Sequence, residues 1–343
     1  MAEAWFALSG KDQAEALEVA AGRSGRPAHL LEKDIWVVWA LGVIYRSPLA
    51  NTLTFKGGTS LSKVYQVIDR FSEDIDLTYD IRYLVPDLLR AGDPIPVSPS
   101  QEKRISGAVR TRLPQWITDT VQPLFESARK DAGLEIGLRL AGKDNDKLIV
   151  SYPAVKTGTG YAAPIIQLEF GARATGEPHQ IHAVACDMAP LIDGVDFPTA
   201  HPLVMAAERT FWEKATAAHV YCRQGRLRGE RYARHWYDLV ALARSQYFES
   251  AVGDQALALQ VAQHKAMFFA EKDAAGNWID YAQAVSGALQ LIPEGASLAA
   301  LASDYSAMLD DGLLSGPQPS FVELMEICRG IQDRVHLENR KPL

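Results

Sequence analysis

Two hydrophobic periods alternate along the chain and mark out its elements before any chemistry is considered. Over residues 13–21 and 30–45 apolar positions recur at helical spacing, with Pro27 closing the first segment. Trp36, Trp39 and Val43 form a stripe on the second helix, the mark of a packing face, while Glu32, Lys33 and Asp34 occupy its first turns. Leu53-Thr-Phe-Lys56 is a short apolar run that reads as a strand. Gly57 and Gly58 then permit a sharp turn, and Thr59 and Ser60 open a helix. A second strand carries Asp74-Ile-Asp-Leu77. Beyond a proline-rich loop over 85–101, residues 104–132 read as helix interrupted at Pro114 and Pro123. Residues 134–140 and 147–152 alternate like a strand pair around a polar turn, and 164–173 reads as a further strand. From Leu203 onward the periodicity is helical to the end, beginning with a long helix over 203–222.

This order predicts an α+β protein: N-terminal helices (1–47) packed on a mixed-sheet core (48–200), then a helical C-terminal lobe (201–343) that completes a cleft. No internal repeat or low-complexity tract breaks the pattern.

Composition narrows the class. Across 343 residues, 48% are hydrophobic and 22% charged, the balance of a folded globular protein. A net charge of −7 excludes a generally basic nucleic-acid coat, so any RNA contact has to be local. Cys186, Cys222 and Cys328 are three in number and widely spaced, which points to a reducing cytoplasm rather than to a disulfide framework or a metal knuckle. The N-terminus lacks the basic start of a signal peptide, and the longest apolar run is about eleven residues, against the roughly 20 that a membrane span requires.

Candidate chemistry gathers at the first strand–turn–helix–strand unit. Asp74 and Asp76, two apart on a strand, stand on one face. Convergent carboxylates opposite a glycine turn and a helix start suit divalent-metal chemistry on a triphosphate. Each half also has a plain structural reading, as an ordinary turn and as an exposed edge strand. A P-loop is excluded, because Lys56 precedes the glycines and Lys63 follows a serine. Glu169 stands conspicuously within an apolar strand, where a carboxylate needs a partner: either Arg173 or a site shared with Asp74 and Asp76. Lys214 falls in the apolar stripe of the 203–222 helix and either snorkels outward or meets an anion. Arg223, Arg226, Arg228 and Arg231 crowd one loop, as a solvated face or as a contact to an RNA backbone. Asp238 lies four residues after Arg234, the spacing of a helical ion pair. His179, His182 and His201 have no ligand spacing and read as ordinary histidines.

The runs Lys56-Gly-Gly-Thr-Ser-Leu-Ser-Lys63 and Arg70-Phe-Ser-Glu-Asp-Ile-Asp76 resemble the AbiEii/AbiGii-type nucleotidyltransferase toxins of the polymerase-β-like superfamily. Leu168-Glu-Phe-Gly-Ala-Arg173, Glu208-Arg-Thr-Phe-Trp-Glu-Lys214 and Arg234-His-Trp-Tyr-Asp238 are similar to three further motifs of that family, so the likeness spans most of the chain. The resemblance implies a bacterial, cytoplasmic toxin, paired with an antitoxin, that transfers NMP from an NTP to an RNA acceptor such as a tRNA 3′ end. In that scheme Asp74 and Asp76 hold Mg²⁺ and Glu169 accepts the acceptor's proton. Gly57, Gly58, Thr59, Ser60 and Lys214 face the nucleotide with Asp238, as does one of Lys56 and Lys63, which the sequence leaves open. The alternatives are transfer to a protein hydroxyl and a catalytically idle binding module.

Overall fold

Alternation of buried and half-exposed side chains builds one mixed sheet, and its polar face carries the candidate chemistry. The computed structural model describes residues 2–72, 74–90, 95–96, 98–156, 163–227, 231–310, 314 and 316–338. Cα packing divides the chain into two compact units: Met1–Val64 with Phe71–Pro94 and Arg104–Met205, and Tyr65–Arg70 with Ile95–Lys103 and Ala206–Leu343.

In the first unit the strands, in chain order, are β1 (Leu53–Lys56), β2 (Ile75–Tyr79), β3 (Gly137–Ala141), β4 (Lys147–Ser151), β5 (Ile165–Gly171), β6 (His179–Ile181) and β7 (Leu203–Met205). They form a seven-stranded sheet in the spatial order β3-β4-β5-β2-β1-β7-β6. β2 runs parallel to β5 and antiparallel to β1, so the sheet is mixed. Leu148, Val150, Ile166, Leu168, Phe170, Ile75 and Leu77 line its buried face. The alternate positions, Lys147, Gln167, Glu169 and Asp76, are only half-buried.

The helix α1 (Gly10–Ser24) precedes α2 (Ala28–Tyr45), which packs on β5. Every residue of α2 from Leu30 to Tyr45 is buried, including Glu32, Lys33 and Asp34. The predicted aromatic stripe is core: Trp36 stacks on Tyr152 at 4.9 Å between centroids, and Trp39 meets Phe125 edge-on at 5.8 Å. The buried charges find partners. Glu32 accepts from the backbone N–H groups of Val155 and Lys156 at 2.8 and 2.9 Å, and Lys33 donates to the Ala163 carbonyl at 3.0 Å. The interrupted helix is continuous: Pro99–Trp116 and Gln122–Asp131 are joined by a single π-helical turn, Ile117–Val121, which lies between the two prolines.

The second unit is helical, with Ala207–Gln224, Ala233–Ala243, Phe248–Gly253, Gln255–Phe268, Gly295–Asp310 and Phe321–Glu338 as its main members. Ala207–Gln224 packs on the three that follow it. Trp212 and Trp236, both fully buried, satisfy their indole N–H groups on the carbonyls of Ala251 and Leu291 at 2.8 and 2.7 Å. One expectation is corrected here. The long helix does not begin at Leu203, because Leu203–Met205 is a strand, with Val204 paired to Phe55 of β1. Three apolar residues ahead of a helix look like its first turn, and only a partner strand pulls them into a sheet.

Candidate active site

Four charged residues lie side by side across the polar face of the sheet. The register pairs Lys147 of β4 with Glu169 of β5, Glu169 with Asp76 of β2, and Asp76 with Lys56 of β1. Directly opposed residues share a face and stand roughly 5 Å apart. The row therefore reads cation, carboxylate, carboxylate, cation. Asp74 lies immediately before β2, close enough for its charge to act on Lys147. Like charges on neighbouring strands repel, so the arrangement is held by the cations that flank it.

The glycine turn closes against this row. Lys56 ends β1 and Gly57 begins the short helix α3 (Gly57–Lys63) with φ at +81°. A Cβ at Gly57 would overlap Asp76 Oδ2 and lie 2.9 Å from its Cγ, so only glycine lets the backbone come this close to the carboxylate. Thr59 and Ser60 are fully buried. Their hydroxyls serve the turn itself: Thr59 donates to the Asp74 carbonyl and Ser60 to the Gly57 carbonyl. What the turn presents outward is thus backbone rather than side chain.

One alternative falls away. Glu169 does not pair with Arg173: its Oε2 is 2.7 Å from Lys147 Nζ, with the Glu169 side chain 43% exposed. Burial works against the Lys147 ammonium, yet the bond and charge of Glu169, with the charges of Asp74 and Asp146, outweigh it and hold its pKa above the ordinary lysine value. Accordingly, among the described residues no group of three or more His, Cys, Asp or Glu side chains gathers closely enough to hold a metal ion. Two neighbouring carboxylates are still the donor set that suits magnesium, which takes one or two carboxylates and fills its remaining positions with water and substrate phosphate.

Of the two lysines beside the turn, Lys63 points into the protein. Its ammonium, with the side chain 6% exposed, lies 2.6 Å from Asp34 Oδ1 and 2.6 Å from Asp187 Oδ1. Asp34 also accepts from the backbone N–H of Asp187 at 2.7 Å, and Arg26 pairs with the other oxygen of Asp187. Burial disfavours the Lys63 charge, but two carboxylates against one ammonium raise its pKa. This cluster ties α3 to α2. Lys56 is the lysine of the polar row.

In the helical unit a second constellation forms around Asp238, whose side chain is 0% exposed. Arg70 grips it in bidentate fashion, with both bonds at 2.8 Å, and Lys214 Nζ lies 2.7 Å from Oδ2. The ion pair of Asp238 is therefore with Arg70 and Lys214, not with the neighbouring Arg234 that sequence spacing favoured. Burial alone would raise the Asp238 pKa, but the two cations hold it well below the usual carboxylate range. Lys214 is 13% exposed. Arg70 is a site residue the sequence reading missed, since nothing local connects positions 168 apart.

The arginine loop is only partly described. Arg223 is exposed and pairs with Asp273 at 2.9 Å; Arg226 is exposed; Arg231, at φ +72°, is exposed and donates its backbone N–H to Asp304. Arg228 lies outside the described residues.

Against known proteins, the model of a family described as "Nucleotidyl transferase AbiEii toxin, Type IV TA system" matches residues 39–327. No curated protein matches significantly. Among solved structures, the chain is similar to "MenT4, nucleotidyltransferase toxin Rv2826c from Mycobacterium tuberculosis H37Rv", at 16% identity and a TM-score of 0.45, over 96% of this chain and 88% of that one.

Proposed function

The chain belongs to the AbiEii family of nucleotidyltransferase toxins, and we propose that it transfers NMP from an NTP, with Mg²⁺ as the metal, to the 3′-terminal hydroxyl of an RNA, most directly a tRNA. The observation that carries this reading is the pairing of Asp76 with Glu169 on adjacent strands, hard against the Gly57 backbone. Asp74 and Asp76 would hold the metal. Held there, such a cation would supply positive charge to offset that of the departing pyrophosphate. Glu169 takes the proton of the acceptor hydroxyl, whose oxygen bonds to the α-phosphorus as the bond to the bridging oxygen of pyrophosphate breaks. Lys56 and the backbone of Gly57 and Gly58 meet the phosphates. As a nucleotidyltransferase toxin of a toxin–antitoxin family, the protein takes an NTP and has a cognate antitoxin. Exposed Arg226 and Arg231 support an RNA acceptor. No helix among the described residues is long and apolar enough to cross a membrane.

The test is incubation of the purified protein with total tRNA and, separately, a protein pool, with each labelled NTP in turn, in Mg²⁺ and in chelator. Label on RNA in Mg²⁺ alone is expected. Label confined to protein replaces the acceptor with a protein hydroxyl. No transfer at all, together with undiminished toxicity of Asp76→Ala, leaves only a binding module.

A further inference from the structure

Lys147 is the unassigned member of the polar row. It sits on β4, opposite Glu169, with its ammonium 2.7 Å from Glu169 Oε2. Asp74 and Asp146 also act on it electrostatically. The hairpin from which it springs is tight: Gly142, at φ +88°, lies so close that a Cβ there would overlap Asp146 Oδ1 and stand 3.2 Å from Lys147 Cγ. The base of the Lys147 side chain is thus fixed, while its tip, with the side chain 27% exposed, can swing away on four flexible carbons.

We propose that Lys147 is a tethered counter-cation of the carboxylate row: it neutralises Glu169 while the row is empty, the acceptor hydroxyl must compete with it for the Glu169 oxygens, and a divalent cation held by the neighbouring aspartates is repelled by it. The inference rests on the reading of Asp74 and Asp76 as metal-holding residues. Its logic is electrostatic. Carboxylates set side by side repel one another, and a cation among them lowers that repulsion. A second, divalent cation arriving at Asp74 and Asp76 meets the first as a like charge. Removing the ammonium therefore destabilises the empty protein and tightens binding of the metal. A lysine with a merely structural role in the hairpin would do the first without the second.

Calorimetric titration of the full chain with Mn²⁺, in the absence of nucleotide, reads this directly. Lys147→Met is expected to tighten Mn²⁺ binding by about tenfold, the effect of deleting one positive charge within a few ångströms of a divalent ion in a water-like dielectric. Lys147→Arg, which keeps the charge, should bind as the wild type does. In chelator Lys147→Met should melt below the wild type and gain more from added Mn²⁺. In a Glu169→Gln background the Met substitution should change Mn²⁺ affinity much less, because the pair is already broken. Equal or weaker Mn²⁺ binding by Lys147→Met overturns the assignment of Lys147 while leaving the metal reading intact. If the wild type binds no Mn²⁺, or Asp76→Asn binds it as tightly, both fall.

Discussion

Arg70 and Asp238, 168 residues apart, are joined by two bonds of 2.8 Å with both side chains buried, and Lys214 completes the set at 2.7 Å. Burying these charges is favourable only as a group, because each alone loses its hydration. Asp238→Ala leaves two cations facing one another and should cost about 3–5 kcal/mol. Arg70→Met/Asp238→Leu, which removes the tight pair together, should recover much of that loss. Urea denaturation of the wild type and the two variants checks the ordering; a double variant no more stable than Asp238→Ala would mean that packing, not charge, holds these helices.

Gly57 offers a probe of the site that touches no charged group. With φ at +81° and Asp76 where a Cβ would go, Gly57→Ala has to displace the carboxylate or the turn. The strain should cost about 1–3 kcal/mol, and transfer should fall by on the order of a hundredfold from the misplacement of Asp76. Gly22→Ala, on the exposed face of α1 with nothing near its Cβ, is the control and should be neutral or stabilising. Full activity in Gly57→Ala would detach the turn from the chemistry.

The strand–turn–helix–strand unit was legible because its cues are local: an apolar run, two glycines, and carboxylates at strand spacing. Its neighbours were not. Lys147 and Glu169 meet only because an antiparallel register brings β4 beside β5, and no sequence rule supplies that register. Arg173, four residues from Glu169, was the nearer and wrong choice of partner. Likewise Glu32, Lys33 and Asp34 read as ordinary first-turn charges of a helix. They are buried because partners from 130, 123 and 153 positions away close over them. Thr59 and Ser60 had the right residue type for a phosphate cradle, but the Ser60 hydroxyl bonds within its own turn and that of Thr59 goes to the Asp74 carbonyl just ahead of the next strand.

The two lysines that bracket the turn should separate cleanly. Lys63 is enclosed by Asp34 and Asp187, so Lys63→Met leaves two carboxylates facing each other and should destabilise the protein by about 3–5 kcal/mol. At temperatures where it stays folded, NTP affinity should remain close to that of the wild type. Lys56→Met removes a half-exposed charge from the polar row and should do the opposite: a stability change within about 1 kcal/mol and weaker NTP binding. Thermal melts paired with nucleotide titration decide it, and a Lys63 variant that folds well yet loses NTP would reverse the assignment.

Two histidines, the buried His219 and the half-buried His235, make the helical unit acid-sensitive. His219 Nδ1 accepts the backbone N–H of Gln290 at 3.0 Å, which requires the neutral ring. Burial first, then the charge of Arg223, lowers its pKa to about 4. Burial and the charge of Lys214 lower that of His235 to about 3. Both folded values lie below the unfolded one, so the unfolded chain binds protons first on acidification. The stabilisation is complete above pH 6.5 or so and declines as pH falls toward the folded values, by about 1.4 kcal/mol per pH unit for each ring. For His219 alone the loss between pH 6.5 and 4 is about 3 kcal/mol. His219→Gln keeps an acceptor for Gln290 without a titrating proton. The stability difference between wild type and this variant, measured by urea denaturation from pH 8 to 5, should be flat above pH 7 and shift steadily in favour of the variant below 6.5. A difference that does not change with pH would show that the His219 ring is not held neutral.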